Sequence, residues 1–438
     1  MEAQATLGWQ TNLLSNLDMI WLKEPDTAII EKIARRELNI PTTESCIITF
    51  LAEGCFNKVY DVQCGSDTHY IMRIALPVHP RAKVLSEVAT IEYVRQHTNI
   101  PVPKILQFDA SHVNELGFEW MLMDVVPGTQ LNKLWKSMTW LKKELIVRKV
   151  VALMVQLFRK RFPVMGNLYP TGESNTFNTP QFRQGEVVQL TFFWANHLKF
   201  NVDRGPFLSS EQWMRVSLDL QIQAADDPVA VVPGPFDDDD EEDEDAVENE
   251  QLRAAQLINR GRRLINLLPK IFPAGEPEAF TLYHHDLHED NIFVDENCEL
   301  SGIIDWECML TAPLWAACKI PKFLNSRKER NICPDQEGFS NEILEDGSIT
   351  KNSMYFEHLE EYEKTQLRAF FLEEMQRECP EWVDIYRTSK MKVAFAEVVG
   401  ALGNRWPLTV NDVGSWLDAV EKHGFAPSLS EMVRGSPC

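Results

Sequence analysis

Two short segments carry the residue types best suited to chemistry. Residues 283–295 read YHHDLHEDNIFVD, and residues 302–307 read GIIDWE. The apolar pieces Ile292-Phe293-Val294 and Ile303-Ile304 have the make-up of two short strands, with Asp295-Glu296-Asn297 as the turn between them. Asp286 and Asn291 then stand at the start of a hairpin, and Asp305 just past its end. A hairpin brings its two ends together, so these three polar residues are expected to converge on one site. Their types suit phosphoryl transfer. That reaction needs a carboxylate to orient the nucleophile and take its proton, and oxygen ligands to hold Mg2+ between phosphates. Asp286 fits the first role; Asn291 and Asp305 fit the second. The same stretch holds His284, His285, His288, Asp286 and Asp290, dense enough for Zn2+ or a two-metal hydrolytic centre. That alternative leaves Asp305 and the upstream pattern without a role.

The elements that must position these residues can be read from periodicity. Near residue 46 the pattern turns strand-like. Cys46 to Phe50, Val59 to Val62 and Tyr70 to Leu76 read as three strands, with a loop at Gly54 and a turn at Gly65-Ser66-Asp67. Ala82 to Gln96 has helical spacing, and Lys104 to Phe108 and Phe118 to Val126 read as two more strands. The order β-β-β-α-β-β describes a small sheet with one helix. Period 2 places Ile71, Arg73 and Ala75 on one strand face. Glu87 falls on the apolar face of the helix with Val84 and Ile91, where a carboxylate needs a partner, and Arg73 is the best candidate. Beyond Gly128 the reading is mainly helical: Leu141 to Arg161, Glu211 to Ala225, Glu250 to Leu268 and most of Glu357 to Met432, with residues 163–212 irregular. Trp306, Trp315, Trp382, Trp406 and Trp416 read as packing residues, the alternative being stacking on a cationic or aromatic substrate. Glu307, Glu373, Glu374 and Glu378 read mostly as solvated helix faces, the alternative being a pocket for a cation.

The pattern H-x-D-x-x-x-x-N at 284–291, followed by a hairpin and I-I-D, resembles the catalytic and metal loops of kinase-like enzymes. The Leu-His at 287–288 and the D-W-E at 305–307 look like the aminoglycoside phosphotransferase and choline-kinase-like branch, in wording closest to its fungal members. Upstream, LAEGCFNKVYDV (51–62) looks like the nucleotide-covering loop and YIMRIAL (70–76) like the third strand. LSEVATIEYVR (85–95) looks like the helix that carries an ion-pairing Glu. PVPKIL (101–106) and LMDVVPGTQL (122–131) look like the last two strands and the hinge. The resemblance spans residues 46–325. It implies an α+β, bilobal protein-kinase-like fold: a small, mostly antiparallel N-lobe sheet plus one helix, and a large, mainly helical C-lobe. It implies transfer of the γ-phosphoryl group of ATP to a hydroxyl of a small molecule. Asp286 would be the catalytic base, and Asn291 and Asp305 would hold Mg2+. Gly54, Lys58, Arg73, Glu87 and the hinge residues Met123, Asp124 and Val125 would bind nucleotide. The chain departs from the family by placing Arg73 where a Lys is usual. Arg keeps the charge and can fork onto phosphate, but it is larger and its geometry differs. With only one glycine in the covering loop, this leaves open a non-catalytic, nucleotide-binding scaffold.

Composition narrows the field. The chain has 438 residues and a net charge of -22. The run Asp237 to Asp245 supplies nine negative charges, and removing these from -22 leaves -13. Such a surface repels a phosphate backbone and argues against nucleic acid as a partner. Like charges in a block stay solvated, so residues 228–248 read as a disordered acidic insertion. The nine cysteines are odd in number and never spaced C-x-x-C, which points to free thiols in a reducing compartment. No Lys or Arg precedes Lys23, and no apolar run reaches the length of a membrane span. The expectation is a cytoplasmic protein without membrane attachment. The expected units are a helical extension (1–45), the N-lobe (46–127), the C-lobe (128–325) and a helical C-terminal part (326–438). Nothing in the sequence indicates an oligomeric state.

Overall fold

The computed structural model describes all residues except 1–3, 12–16, 173–180, 228–243, 276, 344–347, 404–406, 430 and 433–438. The chain starts with a hairpin of β1 (Leu7–Thr11) and β2 (Leu17–Trp21), then helix α1 (Thr27–Leu38). Residues 7–11 and 17–21 are thus strands where a helix is expected. Their aromatic rings find remote partners, Trp9 on Trp194 and Trp21 on Phe118, and this packing overrides a mixed local pattern. Asp26 caps α1, accepting from Ala28 N at 2.8 Å.

The small lobe is an antiparallel sheet of β3 (Cys46–Glu53), β4 (Asn57–Cys64), β5 (Thr68–Ala75), β6 (Ile105–Asp109) and β7 (Glu119–Asp124), in the order β3-β4-β5-β7-β6. Helix α2 (Ala82–His97) connects β5 to β6. Pleat alternation splits the sheet between two cores. Tyr60, Val62, Met72, Ile74, Trp120 and Leu122 pack with Ile30 and Ile33 of α1. Ala75, Met121 and Met123 point the other way and join Val84, Val88, Ile91 and Val94 of α2 in the main core of the large lobe.

The large lobe follows with β8 (Thr129–Gln130), α3 (Leu131–Trp135), α4 (Trp140–Phe158), β9 (Gly166–Pro170), β10 (Phe182–Gly185), α5 (Leu190–Phe193), α6 (Ser210–Ala225) and α7 (Glu244–Ile271). Then come β11 (Phe280–Leu282), β12 (Ile292–Val294), β13 (Leu300–Ile303), β14 (Leu310–Pro313), α8 (Leu314–Ala317), α9 (Ser353–Glu378), α10 (Pro380–Thr388), α11 (Lys390–Ala401) and α12 (Pro407–His423). The segment expected to be irregular contains β9, β10 and α5. Strand β9 is set by pairing with β10 and with the distant β14 rather than by its own alternation. Asn167 on β9 is fully buried; it donates to Met309 O at 2.9 Å and accepts from Val188 N at 2.7 Å. Most of the acidic run, residues 237–243, lies outside the described residues. Its last two members, Glu244 and Asp245, open α7, which starts six residues before the expected Glu250. Among the described residues no helix is long and apolar enough to cross a membrane.

Two glycines let the hinge lie against the β12–β13 hairpin. A Cβ on Gly128 (φ +97°) would stand 2.4 Å from Val294 O, and one on Gly302 would stand 2.2 Å from Val126 Cγ1. The Ser301 hydroxyl donates to Pro127 O at 2.6 Å across the same junction.

Candidate active site

The loop between β11 and β12 is closed on itself by one hydrogen bond and tied to the far end of the hairpin by two more. Asn291 Nδ2 donates to Asp286 O at 2.9 Å, Ile304 N donates to Asn291 O at 3.0 Å, and His284 Nε2 meets Ile304 O at 3.0 Å. Ile292 pairs with Ile303, so Asn291 and Asp305 flank the open end of the ladder. Asp305 itself sits at φ +64°, a backbone region that non-glycine residues rarely occupy and that clusters at functional sites. The expected convergence of Asp286, Asn291 and Asp305 is therefore present. His284 braces the loop, while His285 Nδ1 lies 3.1 Å from Met309 Sδ and His288 Nδ1 lies 3.1 Å from Asp290 Oδ2. The three histidines thus diverge. Among the described residues no group of three or more His, Cys, Asp or Glu gathers to hold a metal.

Arg73 is the hub of the facing wall. Its strand pairs it with Val59 and Met121, pointing it at α2. Nη1 donates to Glu87, and Nη2 lies 2.9 Å from both Asp305 Oδ1 and Glu307 Oε2. The expected Arg73–Glu87 pair forms, and it is joined by residues that sequence reasoning missed. Lys83 Nζ lies 2.7 Å from Glu307 Oε2 and 3.1 Å from Asn57 Oδ1; Asn57 Nδ2 donates to Glu307 Oε2 at 2.7 Å. Glu307 is thus a mostly buried member of this cluster, 14% exposed, and not a solvated helix face. One signal was available for Lys83: it lies four residues before Glu87 in a helix otherwise buried through Val94, where an ammonium requires a counter-charge.

Two cations here face three carboxylates, leaving one negative charge in excess. Burial pushes Glu87 up to about 7, against the pull of Arg73 and Lys83. Burial and the neighbouring Glu307 also raise Asp305. For Glu307 burial is outweighed by Lys83, Arg73 and Asn57, which hold it down to about 2. Glu87 Oε2 has no hydrogen-bond partner among the described residues. The cluster is short of positive charge.

Lys58 does not join it. Cross-strand register sets Lys58 opposite Ile74 and Val59 opposite Arg73, so the pleat sends Lys58 to the other face of the sheet. There its ammonium reaches Glu24 at 2.6 Å and lies over the Trp21 ring. Gly54 N donates to Asn57 O at 2.9 Å at the exposed turn between β3 and β4. In the hinge, Met123 is buried against the main core, Asp124 N donates to Lys104 O at 3.0 Å, and Val125 is exposed.

Across the cleft, Lys322 Nζ lies 2.6 Å from Asp286 Oδ1, another contact that no motif announced. Burial would raise the Asp286 carboxyl, but Lys322, His288 and His285 outweigh it and hold it below the usual range.

Residues 47–316 match the family model described as the phosphotransferase enzyme family. A subtelomeric hrmA-associated cluster protein of Aspergillus fumigatus is 26% identical over 305 residues, covering 63% of this chain and 60% of that one. Altered inheritance of mitochondria protein 9, mitochondrial, of Meyerozyma guilliermondii is 28% identical over 149 residues, or 32% of this chain and 24% of that protein. The chain spans 60% or less of the length of these two curated relatives. Among solved structures, the streptomycin–ATP–APH(2")-IIa ternary complex aligns at 10% identity and TM-score 0.46, covering 90% of this chain and 96% of that one.

Proposed function

The chain belongs to the phosphotransferase enzyme family, and from that membership we propose that it moves the γ-phosphoryl group of ATP to a hydroxyl of a small molecule. The observation that carries this reading is the joining of Asp286, Asn291 and Asp305 at one hairpin mouth, opposite an Arg73 already braced by Glu87. Asp286 orients the acceptor hydroxyl and takes its proton as the new P–O bond forms and the bond to the β-phosphate breaks. Lys322 keeps that carboxylate ionised. In a loose transition state, positioning matters more than base strength, so a carboxyl held below the usual range suits the task. Asn291 and Asp305 are the residues that would hold Mg2+, and the surplus negative charge around Arg73 fits a divalent cation. When bound, the metal neutralises charge between the phosphates. Arg73 supplies positive charge toward the phosphates that are not transferred.

The proposed compartment is the cytosol, in keeping with eight free thiols among the described residues. The charge of -22 opposes a nucleic-acid acceptor. A second reading, a nucleotide-binding scaffold without turnover, draws on one observation: three carboxylates already engage Arg73. The deciding measurement is ATP consumption against pooled hydroxylated metabolites, with Asp286→Ala as control. Wild-type turnover that vanishes in the variant, with nucleotide binding kept, supports catalysis. Nucleotide binding without turnover across the whole pool supports the scaffold.

A further inference from the structure

Strands β3 and β4 carry a pair of cysteines that phosphoryl transfer does not use. The register sets Cys46 directly opposite Cys64. One position outward, Gly65 N donates to Ser45 O at 3.0 Å. Hydrogen-bonded and non-hydrogen-bonded pairs alternate along an antiparallel ladder, so Cys46 and Cys64 form a non-hydrogen-bonded pair. Such a pair holds its Cα atoms about 4.5 Å apart and brings its side chains closest together. A disulfide spans Cα separations of about 4.4–6.8 Å.

The two side chains share one face. Both are buried, with Tyr60, Val62 and Met72, in the core that α1 covers. The two thiols act on each other through a side-chain hydrogen bond. Burial raises both, Cys64 to about 11, and the nearby Arg35 guanidinium offsets this only in part. The thiols are therefore protonated at neutral pH and react slowly. Their way out is the sheet edge. Strand β3 has β4 as its one strand neighbour among the described residues, and most of its side chains are exposed. A strand with so few buried contacts opens readily.

We propose that Cys46 and Cys64 are a site of reversible oxidation, closing to a disulfide that staples the edge strand to its neighbour. The oxidant is a small disulfide such as glutathione disulfide. When the edge opens, one cysteine thiolate attacks the oxidant, whose S–S bond breaks to release one glutathione thiolate. The other cysteine thiolate attacks the mixed disulfide; the Cys46–Cys64 bond forms and the second glutathione thiolate leaves. Each departing thiolate takes up one of the two cysteine protons. Two cysteine thiols are oxidised, and one glutathione disulfide is reduced to two thiols. The closed ring spans residues 46–64. It holds the whole turn at Gly54 and also Asn57, which donates to Glu307 in the Arg73 cluster.

The test is to incubate the full chain overnight with excess glutathione disulfide and no denaturant, alkylate the remaining thiols, and map unreduced peptides by mass. Cleavage after Lys, Arg and Glu puts Cys46, Cys55 and Cys64 on three separate peptides. The Cys46 and Cys64 peptides are expected to be joined, and dithiothreitol to part them. The exposed Cys55 and Cys333 are expected to carry glutathione instead. In hydrogen exchange the amides of β3 are expected to slow at least about tenfold on oxidation, with those of α2 unchanged. Cys64→Ala cannot close the ring, so its β3 exchange is expected not to respond to the oxidant; Cys46→Ala serves if that variant does not fold. The proposal is overturned if both thiols stay free or carry only glutathione, if they join only in urea, or if exchange in β3 is unchanged once they are joined.

Discussion

Around Arg73 most of the charges are buried and carry one negative charge in excess, whereas around Asp286 they stand half in solvent. The Arg73 side chain is 12% exposed and Glu87 is 0% exposed; Asp286 is 28% and Lys322 is 53% exposed. Low dielectric makes each charge in the first group depend on the others, and water makes the second group replaceable. One wall is therefore a structural part of the fold that also presents charge. The other is a working surface whose residues can be changed at little cost to folding.

Substitutions can break this contrast. The largest effect is expected from Asp286→Ala: turnover falls by about 10²–10⁴-fold, while stability changes by less than about 0.5 kcal/mol in urea unfolding. A large loss of stability would mean that this wall is as structural as the other. Arg73→Ala is expected to cost about 3–5 kcal/mol of stability, because Glu87 and Glu307 are left buried without their guanidinium. A cost under about 1 kcal/mol would refute its role as hub.

A third expectation uses pH. Burial pushes Glu119 up to about 7, against the Arg81 backbone N–H that it accepts. A carboxyl whose folded value is raised from 4.5 to about 7 binds more protons folded than unfolded, so its contribution is lost as pH rises through that window. His284 runs the other way: burial lowers it from 6.5 to about 3, so its contribution is lost as pH falls through that range. Unfolding free energy measured from pH 4.5 to 7 is expected to rise more steeply with pH in Glu119→Gln than in wild type. Parallel curves would discard the assignment. The smallest effect is expected from Lys322→Met. Freed from the ammonium, Asp286 titrates higher, so the acid limb of the pH–rate profile moves to higher pH while stability barely changes. An unmoved limb would mean that Lys322 does not act through Asp286.

The hairpin site was legible because its residues are close in sequence. Asp286, Asn291 and Asp305 lie within one β-turn-β unit, and alternation on β5 was enough to aim Arg73 at Glu87. Lys83, Glu307 and Lys322 were not legible in the same way. Asn57 and Glu307 are 250 positions apart and Asp286 and Lys322 are 36 apart, so chain folding, and no local period, decides their contacts. Lys58 failed for a related reason: a shift of one residue along a strand reverses the face, and its register was fixed by pairing with Ile74. The β1–β2 hairpin and β9 were hidden because their partners, Trp194, Phe118 and β14, lie far along the chain.

The division of the cores carries one more consequence. Helix α2 belongs to the small lobe by sequence, yet its apolar face is packed into the core that also holds α4, β12 and α9, while the outer face of the sheet closes on α1 and on Trp21 of β2. Cooperative opening follows shared packing and not lobe boundaries. In hydrogen exchange the amides of α2 are expected to open together with those of α4, and β3 and β4 to open separately and sooner. The sheet can then breathe over a ligand while the helix that holds Glu87 stays in place.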